Sequence, residues 1–109
     1  MHHIPTAELR ERLLKELTKS KVAVVSFWQF ENDERIFNKA QETTKLAQEK
    51  LGFKNLEAGD YFLSWQDRSD VFRFCHNFTD DEIASLKSKF NVIEDFSADN
   101  LNKYLFICI

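Results

Sequence analysis

The stretch KVAVVSFW, Lys21 to Trp28, decides how this chain is read. It is β-branched, aromatic and apolar on both alternating faces. Such a run is the pattern of a strand buried on both sides, as in a parallel sheet covered by helices. A strand of that kind needs neighbours along both edges. The rest of the chain is read for where those neighbours come from.

Upstream, Thr6 is placed to cap a helix running to about Thr18, with Pro5 just outside it. Leu9, Leu13, Leu14 and Leu17 form its apolar stripe, and Glu8–Arg12, Glu11–Lys15 and Arg12–Glu16 are i,i+4 charge pairs on the wet side. Downstream, Asn32 or Asp33 opens a second helix ending near Leu51. Its packed face is Ile36, Ala40, Thr43, Ala47 and Leu51, and Gly52 is a good C-terminal stop. DYFLSW (Asp60 to Trp65) and VFRFCH (Val71 to His76) are short extended segments separated by the polar turn Gln66 to Asp70.

FTDDEI, Phe78 to Ile83, is the strongest local signal. Thr79 and Glu82 have the spacing of a capping box, and Phe78 and Ile83 stand where a hydrophobic staple closes over it. Asp80 and Asp81 favour the positive end of the helix dipole, and Ile83, Leu86 and Phe90 carry the packing face. Two strands follow, Val92 to Phe96 and Lys103 to Ile109. The polar loop SADNLN joins them and favours antiparallel pairing. No repeat or linker interrupts the chain, so residues 1–109 read as one α/β domain with about three helices and an antiparallel closing pair.

Composition narrows the function. Two glycines and one proline in 109 residues are very few, against roughly eight and five at average usage. The shortage excludes collagen-like and linker classes, and it excludes nearly every phosphate-cradling loop, which needs clustered glycines. A net charge of −3 does not advertise a nucleic-acid binder, although a local Lys/Arg patch can bind phosphate on an acidic protein. Cys75 and Cys108 are too few for a disulfide framework. Apolar stretches stop at about seven residues, far short of the roughly 20 that span a bilayer. A cytoplasmic protein that engages no membrane is the expectation.

The order of elements, with particular residues in it, resembles the C-terminal half of class I S-adenosylmethionine-dependent methyltransferases. It is most similar to the branch related to tRNA wobble-uridine methyltransferases. HHIPTAELRERLLKEL is similar to the segment after the family's fourth strand, where a His pair precedes a Thr-capped helix. TKSKVAVVSFWQF stands where the family has its LKPGG turn and fifth strand, with the glycine pair absent. GDYFLSW resembles the branch's GD-x-x-x-x-W element, and FRFCHNFTDDEI its R-(Y/F)-x-H-x-F-(T)-x-x-E-(L/I) element. NVIEDF and NKYLFICI match the antiparallel sixth and seventh strands.

The resemblance implies a partial Rossmann-like methyltransferase sheet that contributes the substrate-side wall, with a tRNA uridine or a small molecule as methyl acceptor. The family's Gly-rich turn and ribose-binding carboxylate have no counterpart in this chain. By that resemblance, about 100 residues of an ordinary domain of this fold are expected to lie outside this chain. No cofactor-binding residue is therefore assigned, and S-adenosylmethionine is expected to bind only where an N-terminal half is supplied. The chain alone is expected to be inactive. The alternative is a non-catalytic interaction module, pairing through the edge of strand 21–28 with an N-terminal half-protein or a second copy. A small nucleic-acid binder that takes tRNA is the third reading.

The candidate substrate-binding residues are His2, His3, Asp60, Trp65, Arg73 and His76. The resemblance puts His2 and His3 at the rim of the donor and substrate cleft; by themselves they read equally as a chain terminus. Arg73 is suited to hold a phosphate or carboxylate, Trp65 to stack on a base and His76 to relay a proton. The plainer readings make Trp65 a core filler, Arg73 a surface charge and His76 an edge residue. Arg73 and His76, three apart on a strand, point to opposite faces. Asp60 is suited to orient a substrate group or simply to shape a turn. Cys75 and His76 face opposite ways, so they cannot form a thiol–imidazole dyad. Cys108, within FICI, reads as a small buried hydrophobe. No metal-ligand spacing exists, so no metal is expected. Cations at 10, 12, 15, 19 and 21 are interleaved with glutamates and read as a solvated helix face rather than a phosphate-binding one.

Overall fold

The computed structural model describes residues 1–52, 54–66 and 68–108, without the side chains of Ser69 and Cys108. Its elements in chain order are α1 (Ala7–Leu17), β1 (Val22–Trp28), a 3-10 turn (Phe30–Asn32), α2 (Glu34–Leu51), β2 (Asp60–Trp65), β3 (Arg68–His76), α3 (Asp80–Lys87), β4 (Val92–Ala98) and β5 (Asn102–Cys108). The expected reading of Cys108 as a buried hydrophobe, and the last residue of the expected strand 103–109, lie outside the described residues.

The strands form two antiparallel sheets. One has the order β1-β5-β4, and the other is the β2–β3 hairpin. The mixed α/β class and the antiparallel closing pair agree with the sequence. The parallel environment expected for β1 does not appear. Its one strand partner among the described residues is β5, antiparallel, with Val25 opposite Leu105 and Phe27 opposite Lys103. Nor is β1 buried on both faces. Val25 and Phe27 are buried, while Val22 and Val24 are 54% and 57% exposed. The apolar run records a need for cover, but only the helices that pack can meet it. Leu14 of α1, with Phe78 and Ile83 at the start of α3, packs with Val25, Phe27, Leu105 and Ile107. The opposite face presents Val22, Val24, Phe96, Tyr104 and Phe106, with the Phe96 and Tyr104 rings stacked at 4.9 Å.

A second, smaller core forms where α2 packs on the hairpin. Phe30, Ala40, Leu63 and Cys75 are buried there, with Trp28, Ile36 and Tyr61 against them. Thr43 and Thr44 explain why polar residues lie on the packed face of α2. The Thr43 hydroxyl donates to the Phe62 carbonyl at 2.6 Å, and the Phe62 amide donates to the Thr44 hydroxyl at 2.9 Å. Asp33 caps the helix by accepting from the Ile36 amide, and Gly52 closes it at φ 75°. Leu51, expected on the packed face, is exposed.

Three other expectations need correction. The buried stripe of α1 is rotated, with Arg10 and Leu14 inside and Leu9 outside. Of the expected helix-face pairs, Glu11–Lys15 forms, at 3.2 Å; Glu16 pairs with Lys19 instead. The turn expected at 66–70 is shorter, since β3 already begins at Arg68. Gln66 takes a positive φ of 53°, and a register shift at Ser64/Trp65 lets the two strands close early. Asp99 and Asn100, both at positive φ, turn the chain tightly between β4 and β5. This is the conformation that tight hairpins favour.

Candidate functional site

The segment His76–Phe78 joins three parts of the chain. The His76 amide donates to the His2 carbonyl at 2.7 Å, the Asn77 amide to the Gly59 carbonyl at 2.8 Å, and the Phe78 amide to the Trp28 carbonyl at 3.0 Å. Asp60 and His76 therefore meet in one cluster, while His2, His3, Trp65 and Arg73 gather in another.

The first cluster pairs its own charges, and Arg10, Glu57, Gly59, His76, Asn77 and Glu82 line a cleft of about 550 Å³ beside it. The His76 ring lies between two carboxylates, with Nδ1 2.7 Å from Asp60 Oδ1 and Nε2 2.9 Å from Glu82 Oε1. Both ring nitrogens face acceptors, so the ring satisfies both contacts only as imidazolium. Burial opposes that charge. The hydrogen bonds to Glu82 and Asp60, together with the charge of Glu82, outweigh it and raise the His76 pKa above its ordinary 6.5. Arg10 enters from α1, only 3% exposed, 3.6 Å from Glu82 and 3.5 Å from Glu57. It also donates to the Ile4 carbonyl at 2.9 Å, and its guanidinium lies 5.5 Å from the centre of the Phe78 ring.

Gly59 is required in this arrangement. At φ 88° it turns the chain into β2, and a Cβ there would stand 2.9 Å from the Asn77 carbonyl oxygen and 3.1 Å from His76 Cε1. Asp60 both shapes that turn, accepting from the Glu57 amide at 2.9 Å, and holds His76.

Arg10, Glu57 and Glu82 were missed from sequence. Arg10 reads as one of a cluster of solvated cations, and its place on the Leu14 side of α1 is the only hint otherwise. Glu82 reads as the second half of a capping box. Thr79 does accept from the Glu82 amide at 3.1 Å, but the Glu82 carboxylate turns to His76 and Arg10. No sequence signal marks Glu57.

The second cluster is open. The Arg73 guanidinium lies 5.7 Å from the Trp28 ring centre and 5.4 Å from that of Trp65. His2 packs edge-on against Trp28 at 5.4 Å, and His3 packs on His2 at 4.3 Å. Burial first, then the charges of His3, the amino terminus and Arg73, push the His2 pKa down to about 4. The buried His2 Nδ1 and Arg73 Nε have no hydrogen-bond partner among the described residues. Trp28, Arg35, Ile36, Lys39, Leu63, Ser64 and Arg73 line a cleft of about 440 Å³ here. Trp65 is not the core filler its size suggests, being 46% exposed.

Cys75 does not meet His76, as strand geometry requires. The His3 ring is the one that approaches its sulfur, Nδ1 to Sγ 3.7 Å, and the same Nδ1 lies 2.9 Å from the Phe74 carbonyl oxygen. Burial pushes the thiol up to about 11, so it stays protonated at neutral pH. Among the described residues no group of three or more His, Cys, Asp or Glu side chains is placed to hold a metal, and no helix is long and apolar enough to cross a membrane. No protein-family model matches the chain, and no curated protein or solved structure matches it either.

Proposed function

We propose that the chain is the C-terminal, substrate-side portion of a class I S-adenosylmethionine-dependent methyltransferase fold, one that acts only when its sheet is extended along β1. The observation that carries this reading is the one-sided cover of the β1-β5-β4 sheet. The segments that resemble the family's fifth, sixth and seventh strands are β1, β4 and β5, and all three lie in that sheet. Helices α1 and α3 cover one face of it. The other leaves Val22, Val24 and Phe96 more than two-fifths exposed. The outer edge of β1 has no strand neighbour among the described residues. An apolar open face beside a free strand edge is a surface that more sheet and more helix would cover.

Neither glycine is free to cradle a methyl donor. Gly52 closes α2 and Gly59 is pressed against His76 and Asn77. The donor site belongs to the added elements, and this chain supplies the wall that carries His2, His3, Trp65 and Arg73. A tRNA uridine or a small molecule is the acceptor in this reading. The same free edge favours a second reading, a non-catalytic module that pairs with a half-protein or a second copy.

Calorimetry with S-adenosylmethionine and its demethylated product is the test of the first reading. No binding by the isolated chain is expected, and clear micromolar binding would overturn it. Light scattering after size exclusion tests the edge that both readings use. A dimer or higher species is expected at high concentration, and a monomer throughout argues against both.

A further inference from the structure

Three cations converge on the cleft between α2 and the β2–β3 hairpin. Arg35 and Lys39 stand one turn apart on α2, and Arg73 reaches in from β3. Among the described residues none of them has a carboxylate within ion-pair distance. Like charges at an i,i+4 spacing on one helix face are destabilising without a counter-charge. Arg73 lies beside the Trp28 and Trp65 rings, with no acceptor for its buried Nε. The chain as a whole carries −3, so this positive cleft is a local concentration against the overall sign. The adjoining groove shares Lys39 and Ser64 with it, and there Arg68 is already matched by Asp70 at 3.2 Å.

We propose that this cleft binds the phosphate group of a nucleotide, held by Arg35, Lys39 and Arg73, with the Trp65 ring beside it as a surface for the base. Three unmatched cations suit a phosphate better than a single carboxylate, since a phosphate carries more charge and more acceptor oxygens. The planar guanidinium of Arg73 grips such an oxyanion in two directions while its ring contacts hold it in place. A volume of about 440 Å³ lies in the range of small-ligand sites. Trp65, 46% exposed, offers the indole surface on which a base stacks. The proposal rests on the cleft alone and stands or falls separately from the methyltransferase reading.

The chain's two tryptophans both flank Arg73, so intrinsic fluorescence reports on the cleft directly. Adenosine monophosphate is expected to produce a saturable change that inorganic phosphate competes away. Adenosine should bind roughly tenfold or more weakly, having lost the charge-assisted contacts. An Arg35→Gln/Lys39→Gln double variant should weaken the nucleotide by about tenfold and leave adenosine unchanged. Both positions are exposed on α2, so this variant keeps the test sound even where Arg73→Gln disturbs the tryptophan packing. A short oligoadenylate that binds more tightly than the mononucleotide assigns the phosphate to a nucleic-acid strand, and equal binding assigns it to a free nucleotide. No saturable change, equal affinity for adenosine and its monophosphate, or unaltered nucleotide binding by the double variant would overturn the proposal.

Discussion

Two polar clusters lie on either side of the segment that ends β3, and they differ in how their charges are met. Around His76 each charged group faces an opposite one: Arg10 from α1, Glu57 before β2, Asp60 on β2 and Glu82 on α3. Around Arg73 the positive groups face aromatic rings and open space, with Nε of Arg73 and Nδ1 of His2 unpartnered among the described residues. A buried network that satisfies every member ties elements together, and removing one member strands the rest. A cluster of unmatched cations contributes little to folding and leaves its charge for something else. The first cluster therefore reads as a clasp for the fold, and the second as the place to look for a ligand.

The largest effect should come from breaking the clasp. His76→Gln leaves Asp60 and Glu82 facing each other without the charge between them, and should lower stability by about 3 kcal/mol in urea unfolding. A much smaller loss would erase the distinction between the clusters. The pH profile sharpens the same point. The folded His76 pKa lies above its ordinary 6.5, so its contribution is full below 6.5 and is lost as pH rises through the raised value. Wild-type stability should decline as pH rises from 6.5 through that raised value, and the His76→Gln profile should lack the decline.

Next comes Glu82, where two roles separate. Thr79→Ala removes only the helix cap and should lower stability by about 1 kcal/mol. Glu82→Gln keeps the amide that the cap accepts but weakens the contacts to His76 and Arg10, and should lower it by about 2 kcal/mol. Equal losses in thermal melts would mean that Glu82 serves the helix start alone.

Arg73→Gln should lower stability by less than about 1 kcal/mol, the scale of its ring contacts. A loss matching that of His76→Gln would make the open cluster structural too. At neutral pH the smallest effect belongs to His2, whose titration runs the other way. Its folded pKa is about 4 against an ordinary 6.5, so the unfolded chain takes up the proton first and stability falls as pH drops through that interval. His2→Asn should flatten this acid limb in a pH series of melts.

Much of the local structure was legible in the residues. Asp33 and Thr79 cap helices, Gly52 ends α2, and the closing hairpin pairs antiparallel, because each depends on a few neighbouring groups. The site was legible in part. Asp60, Trp65, Arg73, His76 and the His2–His3 pair stood out as residue types that do chemistry, but their grouping did not. Glu82 was hidden by a capping spacing that it also satisfies, and Arg10 by glutamates that mark α1 as solvated. Glu57 meets Arg10 across 47 positions of chain, a distance no local pattern spans.

The sequence by itself determined the element types, the caps that open the helices, the glycine that ends α2 and the demand of Lys21–Trp28 for cover, since period, caps and turns are short-range physics. Only the tertiary structure decided that β1 pairs antiparallel with β5, that one face of its sheet stays open, and that His76 meets carboxylates while Arg73 meets aromatic rings. Those outcomes depend on which distant groups arrive at the same place, and burial and charge pairing are settled there.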